Sequence, residues 1–193
     1  AAGGMTFQAM FRNPLATPFT LGVSSGAAFG ATLAVIAGMT SGPLGMSGAS
    51  VGSMLGALAA IAFVYGFARM RREFSSSAML LAGVAMSFLF SSLILFLQYM
   101  SDFTDTFRIV RWLMGGIEAV GYTPVAGLAV FVITGVAVVV FLTNELNLIS
   151  AGEDIAASRG VSLGPVRAAL FIAVSLAVGG VVSVCGPFGF VGM

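Results

Sequence analysis

Charged residues are unusually scarce in this sequence. Of its 193 residues only 8% are charged, whereas 59% are hydrophobic. A water-soluble domain carries about 25% charged residues, which cover its surface. The sequence therefore predicts a protein whose surface faces lipid rather than water. Its formal net charge of +1 gives no indication of nucleic acid as a partner, because nucleic-acid binding depends on an excess of basic side chains.

Several residue types that support catalysis are absent or rare. All eight basic residues are arginines, and the sequence contains no lysine and no histidine. A Walker A phosphate-binding loop and Schiff-base chemistry both need lysine, and histidine is the commonest general base and metal ligand. The single cysteine, Cys185, excludes an internal disulfide and a thiolate metal cluster. We therefore expect no catalytic, cofactor-binding or metal-binding residue in this chain.

Five apolar stretches are long enough to cross the hydrocarbon core of a membrane, which takes about 20 helical residues. Their one charged residue is Arg167, near the start of the last stretch, where an arginine can snorkel to the interface. We predict an all-α fold, a polytopic transmembrane bundle that forms a single domain over residues 1–193. Residues 1–10 are interpreted as the end of a preceding helix. The five predicted spans are Phe19–Gly38, Ala49–Ala68, Ala78–Gln98, Thr123–Leu142 and Pro165–Cys185.

The arginines divide unequally between the two sides on which the connections alternate. The side with six of the eight arginines is predicted to be cytoplasmic by the positive-inside rule. The opposite side, with residues 39–48 and 100–122, carries Arg108 and Arg111. The cytoplasmic arginines are Arg12, Arg69, Arg71, Arg72, Arg159 and Arg167.

Glycine recurs every four residues in the first two stretches. Small residues at this spacing form a flat stripe along a helix face, which lets two helix backbones approach closely. Helix–helix packing is the ordinary interpretation, and lining a passage through the membrane is an alternative that can hold at the same time. The glycines concerned are Gly22, Gly26 and Gly30, followed by Gly48, Gly52 and Gly56.

Hydroxyl groups are the main polar groups inside the predicted spans. Ser24 lies in a G-x-S-x-G match, but no histidine or lysine is available to activate it as a hydrolase nucleophile. We expect Ser24 and Ser25 to form hydrogen bonds within or between helices, and Ser87 and Ser175 to bond to their own helix backbone. A proton-coupled or ion-coupled carrier would place ionisable groups at mid-membrane. Their absence favours a passage whose energy source lies elsewhere.

The polar segment Thr143–Gly164 is the most informative connection. It divides at Gly152 into Glu145–Ala151 and Glu153–Arg159, with apolar positions such as Ile149 and with charged residues expected to face water. Glu153 and Asp154 suit a helix N-terminus, and Arg159 suits a C-terminus closed by Gly160. Two short amphipathic helices of this kind can lie on a membrane or fit a groove on a soluble partner. Composition alone favours a solvated surface loop.

The connection Met100–Tyr122 contains a second charged cluster. Arg108 and Arg111 are three residues apart, so a helix would place them on one face, and Trp112 suits a membrane interface. The ordinary interpretation is an interfacial helix. The alternative is a docking edge for an extracytoplasmic partner.

Five segments, in order along the chain, resemble the permease subunits of the iron-siderophore, haem and cobalamin class of ABC importers, the FecCD/BtuC type. Together they cover most of the chain, and their joint match is specific where any one alone would not be. They are FRNPLATPFTLGVSSGAAFGA (Phe11–Ala31), LLAGVAMSFLFSS (Leu80–Ser92), RWLMGGI (Arg111–Ile117), LNLISAGEDIAASRGV (Leu146–Val161) and GPFGFVGM (Gly186–Met193).

This resemblance implies partners and a location. Permeases of this class pair as homodimers or heterodimers in the bacterial or archaeal cytoplasmic membrane, with two ATPase subunits that hold ATP and Mg²⁺ and an extracytoplasmic substrate-binding protein. Each subunit has about ten helices, so we expect this chain to be a fragment that runs from the end of the second helix to just past the seventh. The resemblance places coupling helices, which seat in the ATPase, at residues 143–164.

The residue patterns above and the resemblance together give the candidate site residues. Arg108 and Arg111 are the candidates for docking of the binding protein, and Gly22, Ser24, Ser25, Gly26, Gly30, Gly52 and Gly56 are the candidates for helix packing or the pathway. We predict a permease subunit for a metal chelate, without enzymatic activity of its own; the alternative is a structural membrane fragment or passive channel-like bundle without an ATPase partner. The ATPase-coupling candidates are Glu145, Leu146, Leu148, Ile149, Gly152, Glu153, Asp154, Ile155, Arg159 and Gly160.

Overall fold

The protein is an assembly of α-helices. Its structure, a computed structural model, describes residues 1–40, 47–70, 76–116 and 122–187. The predicted cytoplasmic residues Arg71 and Arg72 and the last six residues of the GPFGFVGM segment lie outside the described residues. The helices are α1 (Ala2–Phe11), α2 (Val23–Ile36), α3 (Gly48–Met70), α4 (Ser76–Met100), α5 (Phe103–Leu113), α6 (Tyr122–Phe141), α7 (Thr143–Ala151), α8 (Glu153–Ser158) and α9 (Leu163–Cys185).

The helices confirm the predicted all-α, multi-span class. Three stretches of the described chain are each long and apolar enough to cross a membrane, namely Gly48–Phe67, Met79–Met100 and Leu163–Cys185. A fourth candidate, Val125–Phe141, meets the test together with α7, from which it is bent by 60°. Among the described residues three or four stretches thus meet this test, compared with the five predicted from hydropathy.

The first predicted span, Phe19–Gly38, is wrong in length. Only α2 is helical there, and its 14 residues rise about 21 Å, which is short of the hydrocarbon thickness. The residues before α2 form a turn instead, in which the Thr17 amide donates to the Thr20 hydroxyl at 3.1 Å and the Thr20 hydroxyl donates to the Thr17 carbonyl at 2.8 Å. Such side-chain bonds to the backbone compete with the helical ladder.

Helix α3 lies at the centre of the packing, in contact with α2, α4 and α9. Helix α1 completes the core, because Phe7 is fully buried and its ring stacks on Phe171 of α9 with centroids 5.9 Å apart. An apolar exterior is evident on α4, where Leu81 and Phe88 are more than 70% exposed. Apolar side chains exposed to this degree suit contact with lipid or with another protein.

Helix α9 separates two groups of connections. Near its first residues Arg167 forms an ion pair with Glu153 of α8. At its last residue the Cys185 carbonyl accepts a hydrogen bond of 2.9 Å from the Gly116 amide, just beyond α5. The 23 residues of α9 rise about 35 Å, so α8 and the end of α5 lie at opposite ends of a membrane-length helix.

Candidate functional site

The segment predicted to contain coupling helices does form two short helices, α7 and α8. They meet at Gly152, whose backbone angles of φ 156° and ψ 145° lie in a region that is essentially restricted to glycine. Glu153 and Asp154 occupy the first turn of α8, where carboxylates favour the positive end of the helix dipole. Arg159 caps the other end, followed by Gly160 at φ 81°. A side chain at position 152 would strain the bend that sets the direction of α8.

One side of these helices packs against the rest of the protein. Leu146 and Ile149 of α7 and Ala156 of α8 are buried, Ile149 and Ala156 completely. Leu146 belongs to the same apolar cluster as Phe11, at the end of α1. Glu145, expected to face water, instead has a buried carboxylate oxygen, Oε2, without a hydrogen-bond partner. This side of the segment therefore seats α7 on the membrane helices.

The other side of the segment is open. Ile155 is 48% exposed, and Asp154, Arg159 and Gly160 are exposed beside it, while Leu148 is half-buried. An exposed isoleucine between charged side chains is an apolar contact point with a polar surround. We call Asp154, Ile155 and Arg159 the outward face of α8.

Arg167 does not snorkel away from the protein as expected from the sequence. Its side chain is only 3% exposed, and Nη2 lies 2.5 Å from Oε1 of Glu153, whose side chain is 45% exposed. A guanidinium is costly to bury unless a carboxylate compensates its charge. The ion pair therefore ties the first residue of α8 to the first turns of α9. The sequence analysis did not predict this ion pair. The sequence features that indicate it are an arginine near the start of an apolar helix and a glutamate 14 positions earlier.

Glycines bring α2 and α3 into backbone contact. A methyl group on Gly26 would lie 2.8 Å from the Gly56 carbonyl oxygen, and one on Gly30 would lie 2.9 Å from the Gly56 Cα. Gly52 faces the Gly30 carbonyl across the same contact. Distances this short leave no room for a side chain, so the two helices cross with their backbones in contact.

Gly22 is not part of this contact, which corrects the predicted stripe. It precedes α2 with φ 82°, a conformation that glycine adopts readily, and a methyl group there would lie 3.2 Å from the Gly83 carbonyl of α4.

The serine predictions have mixed outcomes. The Ser25 hydroxyl donates to the Gly22 carbonyl at 3.1 Å, and Ser24 is buried. Ser175, which we expected to bond to its own helix, is buried without a hydrogen-bond partner for its hydroxyl.

An apolar cavity of about 400 Å³ adjoins the α2–α3 contact. It is lined by Gly30, Gly52 and Gly56 together with aromatic and aliphatic side chains. These glycines thus face both the helix contact and an open space. That this cavity belongs to a passage through the membrane stays a prediction. The other principal lining residues are Phe29, Leu33, Leu55, Phe63 and Phe90.

Helix α5, at the far end of α9, carries the second charged cluster. Ile109 is buried and Trp112 packs against the core, whereas Arg108 and Arg111 are exposed. The Arg108 guanidinium lies 3.5 Å from the Asp105 carboxylate, one turn earlier. An exposed pair of this type contributes little stability. Both arginines are therefore placed on a solvent-facing surface, opposite to α7 and α8 along α9.

Comparison with known proteins identifies relatives along the whole chain. The model of the FecCD transport family matches residues 1–193. The Uncharacterized ABC transporter permease protein YvrB of Bacillus subtilis is 36% identical over 192 residues, which cover 98% of this chain and 54% of that protein. The Vitamin B12 import system permease protein BtuC of Yersinia enterocolitica is 34% identical over 193 residues, all of this chain and 56% of the relative.

This chain is also similar to a permease named for a different ligand and to a solved structure. The Molybdate import system permease protein MolB of Haemophilus influenzae is 33% identical over 195 residues, covering 100% of this chain and 56% of that protein. A solved structure named as a metal-chelate type ABC transporter, in an inward-facing conformation, superimposes with a TM-score of 0.88 at 32% identity. The superposition covers 100% of this chain and 60% of the other. The chain thus spans about half the length of the curated relatives it matches.

Proposed function

Since the chain belongs to the FecCD transport family, we propose that it forms part of the membrane permease of an ATP-driven importer. In this proposal the complete permease pairs with a second permease subunit, two ATPase subunits and an extracytoplasmic substrate-binding protein. It lies in the cytoplasmic membrane of a bacterium or archaeon. No ATP chemistry is assigned to the chain, so ATP and Mg²⁺ are held by the ATPase subunits. The observation that carries the proposal is the outward face of α8.

The outward face has the properties of a docking element. Helices α7 and α8 are held on the membrane helices by Leu146 and Ile149, which leaves Ile155 exposed at 48% in a charged surround. Short helices that present one apolar anchor suit insertion into a groove of a soluble partner. Helices α7 and α8 lie at the start of α9, close to Arg159 and Arg167. The distribution of arginines predicts that this end is cytoplasmic. A soluble ATPase would meet the permease on that side.

Coupling then follows from how the segment is attached. When ATP closes the pair of ATPase subunits, the groove that holds α8 moves, and α7 and α8 move with it. Because α7 packs on α1 and α8 is tied to α9 by the Glu153–Arg167 ion pair, that displacement reaches the membrane helices. Tilting these helices opens the pathway alternately to the two sides of the membrane.

The opposite end of the molecule is assigned to ligand delivery. Arg108 and Arg111 are exposed on α5, at the end of α9 away from α8. Exposed arginines on a membrane protein's outer surface suit acidic side chains of a soluble partner, since such charges guide encounter and fix orientation. We assign these two residues to docking of the substrate-binding protein.

We assign the ligand to the metal chelates, a class that includes iron-siderophores, haem and cobalamin. Support comes from a relative named for import of vitamin B12 and from a structure named for metal chelates. A relative named for molybdate import makes an oxyanion the competing ligand. Uptake of radiolabelled cobalamin, ferric siderophore and molybdate into proteoliposomes with the complete complex distinguishes these ligands. Saturable, ATP-dependent uptake of one of them identifies the ligand.

The central test replaces Ile155 with aspartate in the full-length subunit and measures how much ATPase copurifies. We expect the ATPase yield to fall at least about tenfold, because a buried carboxylate without a partner is strongly unfavourable in an apolar groove. Ile155→Leu is the matched control, and it should retain the ATPase. Size-exclusion profiles of both variants should equal that of the unmodified subunit, since Ile155 faces away from the permease.

Undiminished copurification of the ATPase with Ile155→Asp contradicts the coupling role. A passive bundle, the alternative left by the sequence, predicts that result. It also predicts ligand flux without ATP, which the same proteoliposomes measure.

A further inference from the structure

Helix α8 has few attachments of its own. It contains six residues, and Ala156 is the one buried side chain within them. A helix of one and a half turns is not stable in isolation, since helix formation needs more residues to offset its nucleation cost. The burial of one methyl group also contributes little. Something further must attach α8 to the membrane helices.

The Glu153–Arg167 ion pair provides that attachment. Glu153 is the first residue of α8, and its carboxylate lies 2.5 Å from the guanidinium of Arg167. The pair bridges the Gly160 connection between α8 and α9. It therefore holds one end of α8, while the Gly152 bend sets the other boundary.

Arg167 occupies a position that is unfavourable for a cation without a compensating charge. It is the fifth residue of α9, close to the positive end of the helix dipole, where a cation is disfavoured. Its side chain is 97% shielded from solvent, as its 3% exposure shows, and burial of a charge is costly unless it is compensated. A lipid-facing or apolar side chain would pack in this position without either cost.

We infer that Arg167 is a positioning residue that holds α8 on α9 and thereby transmits the movement of α8 to the membrane helix. This inference rests on the proposed coupling role of the outward face and names the residues that connect that face to a span. Helix α9 in turn contacts Gly116, three residues beyond α5, through the Gly116–Cys185 hydrogen bond. Displacement of α8 therefore acts on a helix whose far end contacts the opposite side of the protein.

The test uses the complete complex in proteoliposomes and compares Arg167→Met, Glu153→Gln and the two changes together. Arg167→Met is the principal variant, because it removes the buried charge and leaves Glu153 partly hydrated, so the subunit should fold normally. We expect ATPase copurification to be reduced by less than about twofold, while ligand transported per ATP hydrolysed falls by about fivefold or more. The double variant should be no worse than the poorer single variant, because both changes remove the same contact.

The charge exchange Glu153→Arg with Arg167→Glu restores the ion pair with reversed charges, and the ratio of ligand transported to ATP hydrolysed is the readout that a merely structural role would not move. It should restore at least half of the coupling ratio that either reversal alone removes. An unchanged ratio in Arg167→Met, or additive losses in the double variant, overturns the inference. The proposed function itself fails separately, through retention of ATPase by Ile155→Asp, so the two failures are distinguishable. Ser150→Ala is the control, since this exposed hydroxyl on α7 bonds to the Asn147 carbonyl of its own helix.

Discussion

At the scale of single residues, the surroundings of a glycine decide what it does. Gly30 and Gly66 lie on apolar helices that run side by side, but only Gly30 belongs to the predicted four-residue repeat of glycines. In the structure a methyl group on Gly30 would meet backbone atoms of Gly52 and Gly56, whereas one on Gly66 would meet no atom of another element within 4 Å among the described residues. Backbone atoms cannot rotate aside as the end of a long side chain can. Gly30 is therefore a packing residue in a sense that Gly66 is not.

Gly30→Ala should destabilise the full-length subunit by about 1–3 kcal/mol, the usual cost of overpacking a well-packed contact. Thermal unfolding in detergent, followed by light scattering or intrinsic fluorescence, measures the loss. Gly66→Ala is the matched control and should leave stability unchanged or raise it by up to about 1 kcal/mol, because alanine is the better helix former. Equal stability of the two variants would show that α2 and α3 do not cross at Gly30.

The sequence predicted which glycines form the α2–α3 contact, but it did not predict where the row of contacting glycines begins. Four-residue spacing identified Gly26, Gly30, Gly52 and Gly56 as candidates for close helix packing. It also included Gly22, which lies in a turn at φ 82°, because spacing carries no information on where a helix begins. The hydrogen bonds between Thr17 and Thr20 precede α2 and compete with helix formation there. They depend on backbone geometry, which a hydropathy profile does not describe.

At the scale of helices, α7 and α8 show a division that the sequence left undetermined. The break at Gly152 and the acidic start of α8 were predicted from residue types alone. Which isoleucine faces inward was not, because Ile149 and Ile155 lie on either side of the break and the angle between the helices sets their directions. The structure buries Ile149 completely and leaves Ile155 48% exposed. Ile149 is therefore expected to seat the segment rather than to contact a partner.

Ile149→Ala should loosen α7 from the membrane helices. Truncation of a fully buried isoleucine costs about 2–5 kcal/mol, enough to open a nine-residue helix that has little stability of its own. Hydrogen–deuterium exchange of the full-length subunit should show faster exchange across residues 143–158 and little change in α3. Ser150→Ala, one position along and exposed, should exchange at the original rate. Unchanged protection in Ile149→Ala would contradict the inward seating of α7.

At the scale of the whole molecule, α9 determines which connections share a side. The composition predicted a membrane protein, and the spacing of apolar stretches predicted which connections alternate. The structure adds the direct contacts, with α8 at the first turns of α9 and Gly116 at its last residue. Arg167 and Cys185 are 18 residues apart along α9 (185 − 167), which separates these contacts by about 27 Å, close to the thickness of the hydrocarbon core of about 30 Å. This separation supports the proposal that the ATPase-facing and ligand-facing ends lie on opposite sides of the membrane.

This arrangement predicts opposite labelling of two introduced cysteines in the full-length subunit, after Cys185 is replaced by serine. Thr104 on α5 and Ser158 on α8 are both exposed, so Thr104→Cys and Ser158→Cys should react readily with a maleimide that does not cross membranes. In intact cells only Thr104→Cys should be labelled, because the side with more arginines remains in the cytoplasm. Ser158→Cys should be labelled only after the membrane is permeabilised, and this second reaction is the control for its accessibility. Labelling of Ser158→Cys in intact cells would place α8 outside, away from any ATPase, and labelling of both from one side would mean that α9 does not span the membrane.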